Sequence, residues 1–375
     1  MGFVEKLRTK SSNAFQREKP LEVRADEAKY DELGMVNFYG YVSKRRAGLN
    51  SFHDRWMVLR GLELYWYRNV DDQQQKGISM LPAKPIQTDF YVGYTKCFVV
   101  EKEDNEKDSR KLVFEDSEHE VMQEFKQAIT IMTNMKMYIE ATIKLKEKID
   151  TSISDYITNI RQQNSDTIHI KDLFLNADHR VAPILSQLQY HRQLTRLTLN
   201  NCGLGDNYFT DLLDLIAHHK IQIEHLDVTQ NDLTPSAMKS LSIFLKDYEM
   251  SGDLVSLVLD KNELGNDGLR ELSNGLVERF NAMDRDQSSL FNCIQMPMQS
   301  LSLSNTSFTD YGFKFLLQRM ETIHIRQVQT NREIESGMHL DISDNRLSDA
   351  SIRFFAELIK KFSGFRSVNM SGVNQ

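Results

Sequence analysis

The chain has 375 residues, 40% of them hydrophobic and 26% charged, with a formal net charge of −7. Such a length predicts two or three domains rather than one core, and the acidic balance gives no general attraction to nucleic acid, which needs clustered Lys and Arg. No apolar run approaches the roughly 18–20 residues of a membrane-spanning helix, the first twenty residues lack the apolar core of a signal peptide, and Lys6 stands where N-myristoylation wants Ser or Thr.

Residues 1–33 are polar and rich in Lys, Arg and Glu, with Phe3, Val4, Leu7 and Phe15 scattered among them. They read as a solvated arm or a helix laid on the first domain; an amphipathic helix touching lipid headgroups is the alternative. From Met35 the period changes to that of strands. Val36–Val42, Trp56–Leu59, Leu62–Tyr67, Gly77–Leu81, Cys97–Val100 and Arg110–Phe114 are rich in aromatic and β-branched residues. Arg60-Gly61 supplies a hairpin turn, with the glycine taking a positive φ. The helical period returns at Ser117, where Ser117 and Glu120 read as a capping box. Val121, Met122, Phe125, Ile129 and Met132 then form one apolar stripe.

About seven short strands closed by one helix resembles the pleckstrin-homology plan, and particular residues carry the resemblance. Gly40-Tyr41-Val42-Ser43-Lys44 is similar to that family's first strand, and His53-Asp54-Arg55-Trp56-Met57-Val58-Leu59 to its second. Lys76-Gly77 matches the step into the fourth strand, and Glu124-Phe125-Lys126-Gln127-Ala128-Ile129 the helix signature, with Phe125 where the family usually has Trp. The resemblance implies a β-barrel with a C-terminal helix over residues 34–135, the ring of Phe125 plugging one end.

Residues 136–166 continue at helical spacing (Ile139, Ile143, Ile149, Ile153, Ile157, Ile160) and predict one or two helices capping the next domain. Residues 167–375 repeat themselves. The units run Leu194-x-x-Leu197-x-Leu199-x-x-Cys202-x-Leu204, then from Ile223 through Asn231, from Leu254 through Asn262, from Met298 through Thr306 and from Gly337 through Asn345. A sixth begins at Phe365, and a degenerate unit at Leu173–Leu188 leads. The pattern resembles leucine-rich repeats of the ribonuclease-inhibitor type, an α/β solenoid. In these the Leu-x-Leu core is a strand, and the Asn or Cys side chain bonds backbone where the chain turns. Two spacings are longer, 44 and 39 residues, with the extra length near 281–297 and 321–336, both polar and expected as surface loops. The chain stops ten residues into the sixth unit, which reads as the N-terminal part of a longer array or as an abbreviated cap. Cys97, Cys202 and Cys293 have no C-x-x-C spacing; this argues against a disulfide framework or a zinc site and fits a reducing, cytoplasmic compartment.

In the first domain the charges are polarised. Residues 44–84 hold eight Lys/Arg against four acids, and 101–124 hold ten acids against four bases. Phosphates are held by charge-assisted hydrogen bonds, for which Arg and Lys are suited. The resemblance implies an inositol-phospholipid headgroup held by Lys44, Arg55 and Lys76, with Arg45, Arg46 and His53 nearby. The family motif has Lys or Arg where His53 stands, so binding is expected to be weak or pH-sensitive, an ordinary histidine titrating near about 6.5. The alternative is a fold-defining Arg55 and a solvated basic loop. On the repeats, the exposed concave positions include Arg196, Thr198, His225, Asp227, Val258, Asp260, Ser302, His339 and Asp341. They offer a polar, faintly acidic surface for an unidentified protein partner.

The sequence carries no P-loop, G-x-G-x-x-G, G-x-S-x-G or H-E-x-x-H, so no enzyme and no cofactor are expected. The order of a pleckstrin-homology-like domain, a helical connector and ribonuclease-inhibitor-type repeats is similar to the CARMIL family of actin-capping regulators. That implies a membrane-directed, cytoskeleton-associated adaptor that binds an anionic membrane or phosphoinositide at one domain and a protein at the other. The alternatives are a protein-only scaffold and a GTPase-activating repeat protein, whose functional residues have no match here.

Overall fold

The computed structural model describes residues 36–46, 51–72, 75–81, 86–101, 111–159, 166–173, 175, 177–189, 191, 193–247, 251, 253–287, 293–294, 298–330, 333–334, 337–360 and 364–373. The polar arm at 1–33 lies outside them. The chain divides into two compact units, Met1–Lys136 and Met137–Gln375.

The first unit is one antiparallel sheet of β1 (Val36–Arg45), β2 (Phe52–Arg60), β3 (Glu63–Tyr67), β4 (Gly77–Met80), β5 (Gln87–Val92), β6 (Thr95–Val100) and β7 (Leu112–Glu115), in the order β4-β3-β2-β1-β7-β6-β5. Gly61 turns β2 into β3 with φ +53°, as the sequence predicts. Strand β5 was not foreseen: Phe90-Tyr91-Val92 is a short apolar run, and its turn rests on Gly93 at φ +63°. Helix α1 (Glu120–Lys144) follows. The expected capping box gives way to another closure, in which Ser117 offers its carbonyl to Gln123 Nε2 at 2.6 Å. Phe125 is fully buried, its ring 4.9 Å from Phe38, 5.0 Å from Phe114 and 6.1 Å from Phe98. One helical ring thus joins the inner faces of β1, β6 and β7. Lys126 pairs with Asp116 at 2.8 Å beside it.

The second unit is a parallel sheet with helices. After α2 (Thr151–Asn159) come β8 (Thr167–Lys171), α3 (Asp178–Leu188), β9 (Arg196–Asn200), α4 (Gly205–His219), β10 (His225–Asp227), α5 (Pro235–Lys246), β11 (Ser256–Val258) and α6 (Gly265–Gln287). The remaining elements are β12 (Cys293–Ile294), β13 (Ser300–Ser302), α7 (Asp310–Thr330), β14 (Glu333–Ile334), β15 (Met338–Asp341), α8 (Asp349–Ile359) and β16 (Phe365–Asn369). The main sheet runs β16-β15-β13-β11-β10-β9-β8. The alternate leucines of these strands, such as Leu197, Leu226, Leu257, Leu301 and Leu340, are buried.

Two side-chain ladders tie each strand–helix unit to the one before. Buried Asn231 accepts from Cys202 N at 3.0 Å, Asn262 from Asn231 N at 2.9 Å and Asn345 from Thr306 N at 3.0 Å. The residue before each ladder position, Asn201, Gln230, Lys261, Asn305 and Asp344, takes a left-handed φ of 50–57° to aim the side chain inward. At the helix starts, Asp206 accepts from Thr234 N, Asn266 from Thr309 N and Asp310 from Ser348 N, at 2.8–2.9 Å. Each thus satisfies backbone donors that a helix start leaves open.

In the second unit the structure differs from the sequence reading at two places. The first parallel strand, β8, precedes Leu173. Ile168 and Ile170 occupy the positions Leu197 and Leu199 hold in the next unit, with Ile168 opposite Leu197 and Ile170 opposite Leu199; with Ile at both sites the unit escapes a leucine template. The extra lengths near 281–297 and 321–336 are also not wholly loops. Helical turns extend α6 to Gln287 and α7 to Thr330. Beyond them the two insertions meet, β12 pairing with β14 in parallel, Cys293 opposite Glu333 and Ile294 opposite Ile334.

Candidate functional site

The side chains that make the first unit's core turn cationic at the sheet's end. Along β2, Leu59 and Met57 are fully buried, and the same face continues to Arg55 and His53. Val42 on β1 continues to Lys44, and Leu64 on β3 to Trp66 and Arg68. This follows from the period of two: residues two apart share a face. Register sets the neighbours, with Lys44 opposite His53, Val42 opposite Arg55 and Trp66 opposite Gly77. Lys76 is fixed by its backbone N–H, which donates to Trp66 O at 2.9 Å.

The result is a cleft of about 380 Å³ lined by Lys44, Arg45, Arg46, His53, Arg55, Trp66, Arg68 and Lys76. All six residues expected at a headgroup site come together in it. Of the eight described residues that line it, six are Lys or Arg and none is a carboxylate. Asp54 points its backbone carbonyl instead, accepting from Arg55 Nη1 at 2.8 Å. Ser51 Oγ lies 3.5 Å from His53 Nε2. Lys44 Nζ stands over the Trp66 ring at 5.1 Å from its centroid. Sequence reasoning missed Trp66 and Arg68, although period-two counting from Leu64 places both on the cleft face. The acid-rich stretch 101–124 falls partly outside the described residues.

The residues expected to meet a protein share one face of the parallel sheet. Arg196, His225, Ser256, Ser300 and His339 stand in one register row, and Thr198, Asp227, Val258, Ser302 and Asp341 in the next. The acids there are already engaged. Asp227 accepts from Thr229 N at 2.9 Å, and Asp341 from Ser343 N at 2.9 Å and Asn369 Nδ2 at 2.8 Å. Asp260 accepts from Ser302 Oγ at 2.6 Å and Ser304 N at 2.8 Å. Burial pushes the Asp260 carboxyl above its ordinary range, against these bonds and with help from Asp341 and Asp227. Burial likewise lowers His225, with Arg196 adding to it. His339 Nδ1 meets Ser367 Oγ at 2.6 Å.

Cys97 and Cys202 are buried free thiols; burial pushes Cys202 up to about 11, which leaves it a protonated packing residue. No helix among the described residues is long and apolar enough to cross a membrane.

Residues 36–133 match the family model described as PH domain. The chain is similar to the pleckstrin homology domain of the human KIAA0053 protein, at 21% identity over 27% of this chain and 89% of that one, with a TM-score of 0.23. It is also similar to the PH domain of human pleckstrin homology domain-containing protein family A member 5, at 19% identity over 31% and 86%, with a TM-score of 0.23. A third similar structure is the tropomodulin C-terminal domain of Caenorhabditis elegans, at 16% identity over 47% and 98%, with a TM-score of 0.31. The comparison with curated proteins gave no match.

Proposed function

We propose that this chain, whose residues 36–133 are a PH domain, is a membrane-directed adaptor. In this reading the basic cleft binds phosphoinositide headgroups or an anionic membrane, and a leucine-rich repeat solenoid at 167–375 holds a protein. One observation supports the first half above all others: six cations converge on the cleft, with no carboxylate among the described residues that line it. PH domains commonly serve membrane and phosphoinositide binding, and a bound polyphosphate relieves the mutual repulsion of such a cluster through charge-assisted hydrogen bonds. The Asn ladder and the repeated strand–helix unit support the solenoid reading. The test is sedimentation of the full chain with phosphoinositide-containing vesicles, beside the Lys44→Ala/Arg55→Ala variant.

A second reading, a protein-only scaffold, is favoured by Asp54 beside the cleft and by His53 in place of a permanent cation. It predicts no vesicle binding at any lipid composition. The GTPase-activating reading has no residue constellation behind it.

A further inference from the structure

We propose that Trp66 is the ring-recognising wall of the cleft, and that the contact of Lys44 with Trp66 opens when a polyphosphorylated ring enters. This rests on the anion-binding reading of the cleft and adds the chemistry it selects.

Cations alone read charge. A wall of Lys and Arg accepts a linear polyphosphate as readily as a phosphorylated ring, because a phosphate offers each the same oxygens. Among the described lining residues only Trp66 is neither a Lys, an Arg nor a His. Its indole is the one broad apolar surface on which the C–H face of a saturated ring can lie.

The backbone holds that indole in place. Trp66 stands opposite Gly77 across β3 and β4, and a Cβ on Gly77 would overlap Trp66 Cζ2 and Cε2. The glycine therefore gives the indole its room against β4. Over the ring stands the Lys44 ammonium, 5.1 Å from its centroid. A cation–π contact at a partly exposed site is weaker than a charge-assisted bond to phosphate. An arriving phosphate thus draws Lys44 away, and the ligand's own ring takes the indole face it vacates. Charge brings the ligand in, and Trp66 selects its shape.

The chain has two tryptophans, so Trp56→Phe makes Trp66 the sole indole reporter. The full chain carrying that change is titrated with inositol trisphosphate, with linear tripolyphosphate and with phosphoinositide vesicles. Inositol trisphosphate is expected to shift the Trp66 emission and to bind more tightly than tripolyphosphate. In the wild-type background, Trp66→Ala should weaken inositol trisphosphate about tenfold, leave tripolyphosphate unchanged, and be largely rescued by Trp66→Phe. Gly77→Ala, which crowds the indole, should lose the same preference. Equal weakening of both anions in Trp66→Ala, or an unchanged emission on binding, overturns the inference while leaving the anion site standing. Failure of every anion to bind overturns both. Binding of vesicles as well as soluble trisphosphate supports a lipid source, and of the soluble form alone a free headgroup.

Discussion

The side chain of Asn262 reaches back one strand to Asn231, its Oδ1 accepting the Asn231 backbone N–H at 2.9 Å. The same oxygen takes Leu233 N at 3.1 Å, while Nδ2 donates to Val228 O at 3.0 Å and Leu259 O at 2.9 Å. One buried carboxamide thus bonds these four backbone groups, and its Nδ2 also meets Asp260 O at 3.2 Å. Asn262→Ala leaves them unpaired, at about 1–3 kcal/mol for each group not rescued by water. We expect a loss of at least about 3 kcal/mol, read as a lower urea midpoint with an unchanged slope.

Phe125 anchors the other unit. Truncation to Ala removes a fully buried ring that touches three others and is expected to cost about 3–5 kcal/mol. Chemical denaturation checks this, and Phe125→Leu should cost clearly less.

Much of this was legible in the sequence because it repeats or alternates. The strand cores from Leu197 to Leu340 and the ladder at Asn231, Asn262 and Asn345 stand at fixed periods, while Lys44, Arg55 and Lys76 fall in segments that resemble pleckstrin-homology strands. What escaped lacks such a signal. Thr167–Lys171 has Ile in place of Leu, and β5 is short and bounded by its own turn. The pairing of β12 with β14 joins segments far apart in sequence, which no local period encodes. Trp66 was hidden for another reason: it reads as one aromatic in an aromatic strand until register sets it opposite Gly77. The engagement of Asp227, Asp260 and Asp341 was equally invisible, because it depends on the hydroxyls and amides of adjoining turns.

Asp260 carries a pH signature. Its folded carboxyl titrates above the ordinary range, chiefly through burial. The folded state therefore binds the proton more readily than the unfolded one, and stability falls as pH rises through that window. Asp260→Asn keeps an oxygen for Ser302 Oγ and Ser304 N without the buried charge. Its melting temperature at pH 7 is expected to equal or exceed that of the parent, and the difference should vanish near pH 3.

His191 has the opposite sign. Burial lowers its titration below that of an ordinary histidine, and Nε2 has no hydrogen-bond partner among the described residues. It stays neutral in the fold while the unfolded chain gains a proton below about pH 6.5. Stability is then full above that pH and declines below it. Denaturation midpoints from pH 7.5 to 5 should fall for the parent and fall less for His191→Leu. His225, shifted the same way, sustains the remainder.

The central claim is that the cluster of Lys44, Arg45, Arg46, Arg55, Arg68 and Lys76 is a headgroup site. Its most direct test is co-sedimentation of the full chain with neutral vesicles and with vesicles containing phosphoinositide, at two salt concentrations. The account predicts binding only to the charged vesicles, weakened by salt, and abolished by Lys44→Ala/Arg55→Ala. Absence of binding to every vesicle, or equal binding by the double variant, would contradict it and assign the PH domain to protein recognition.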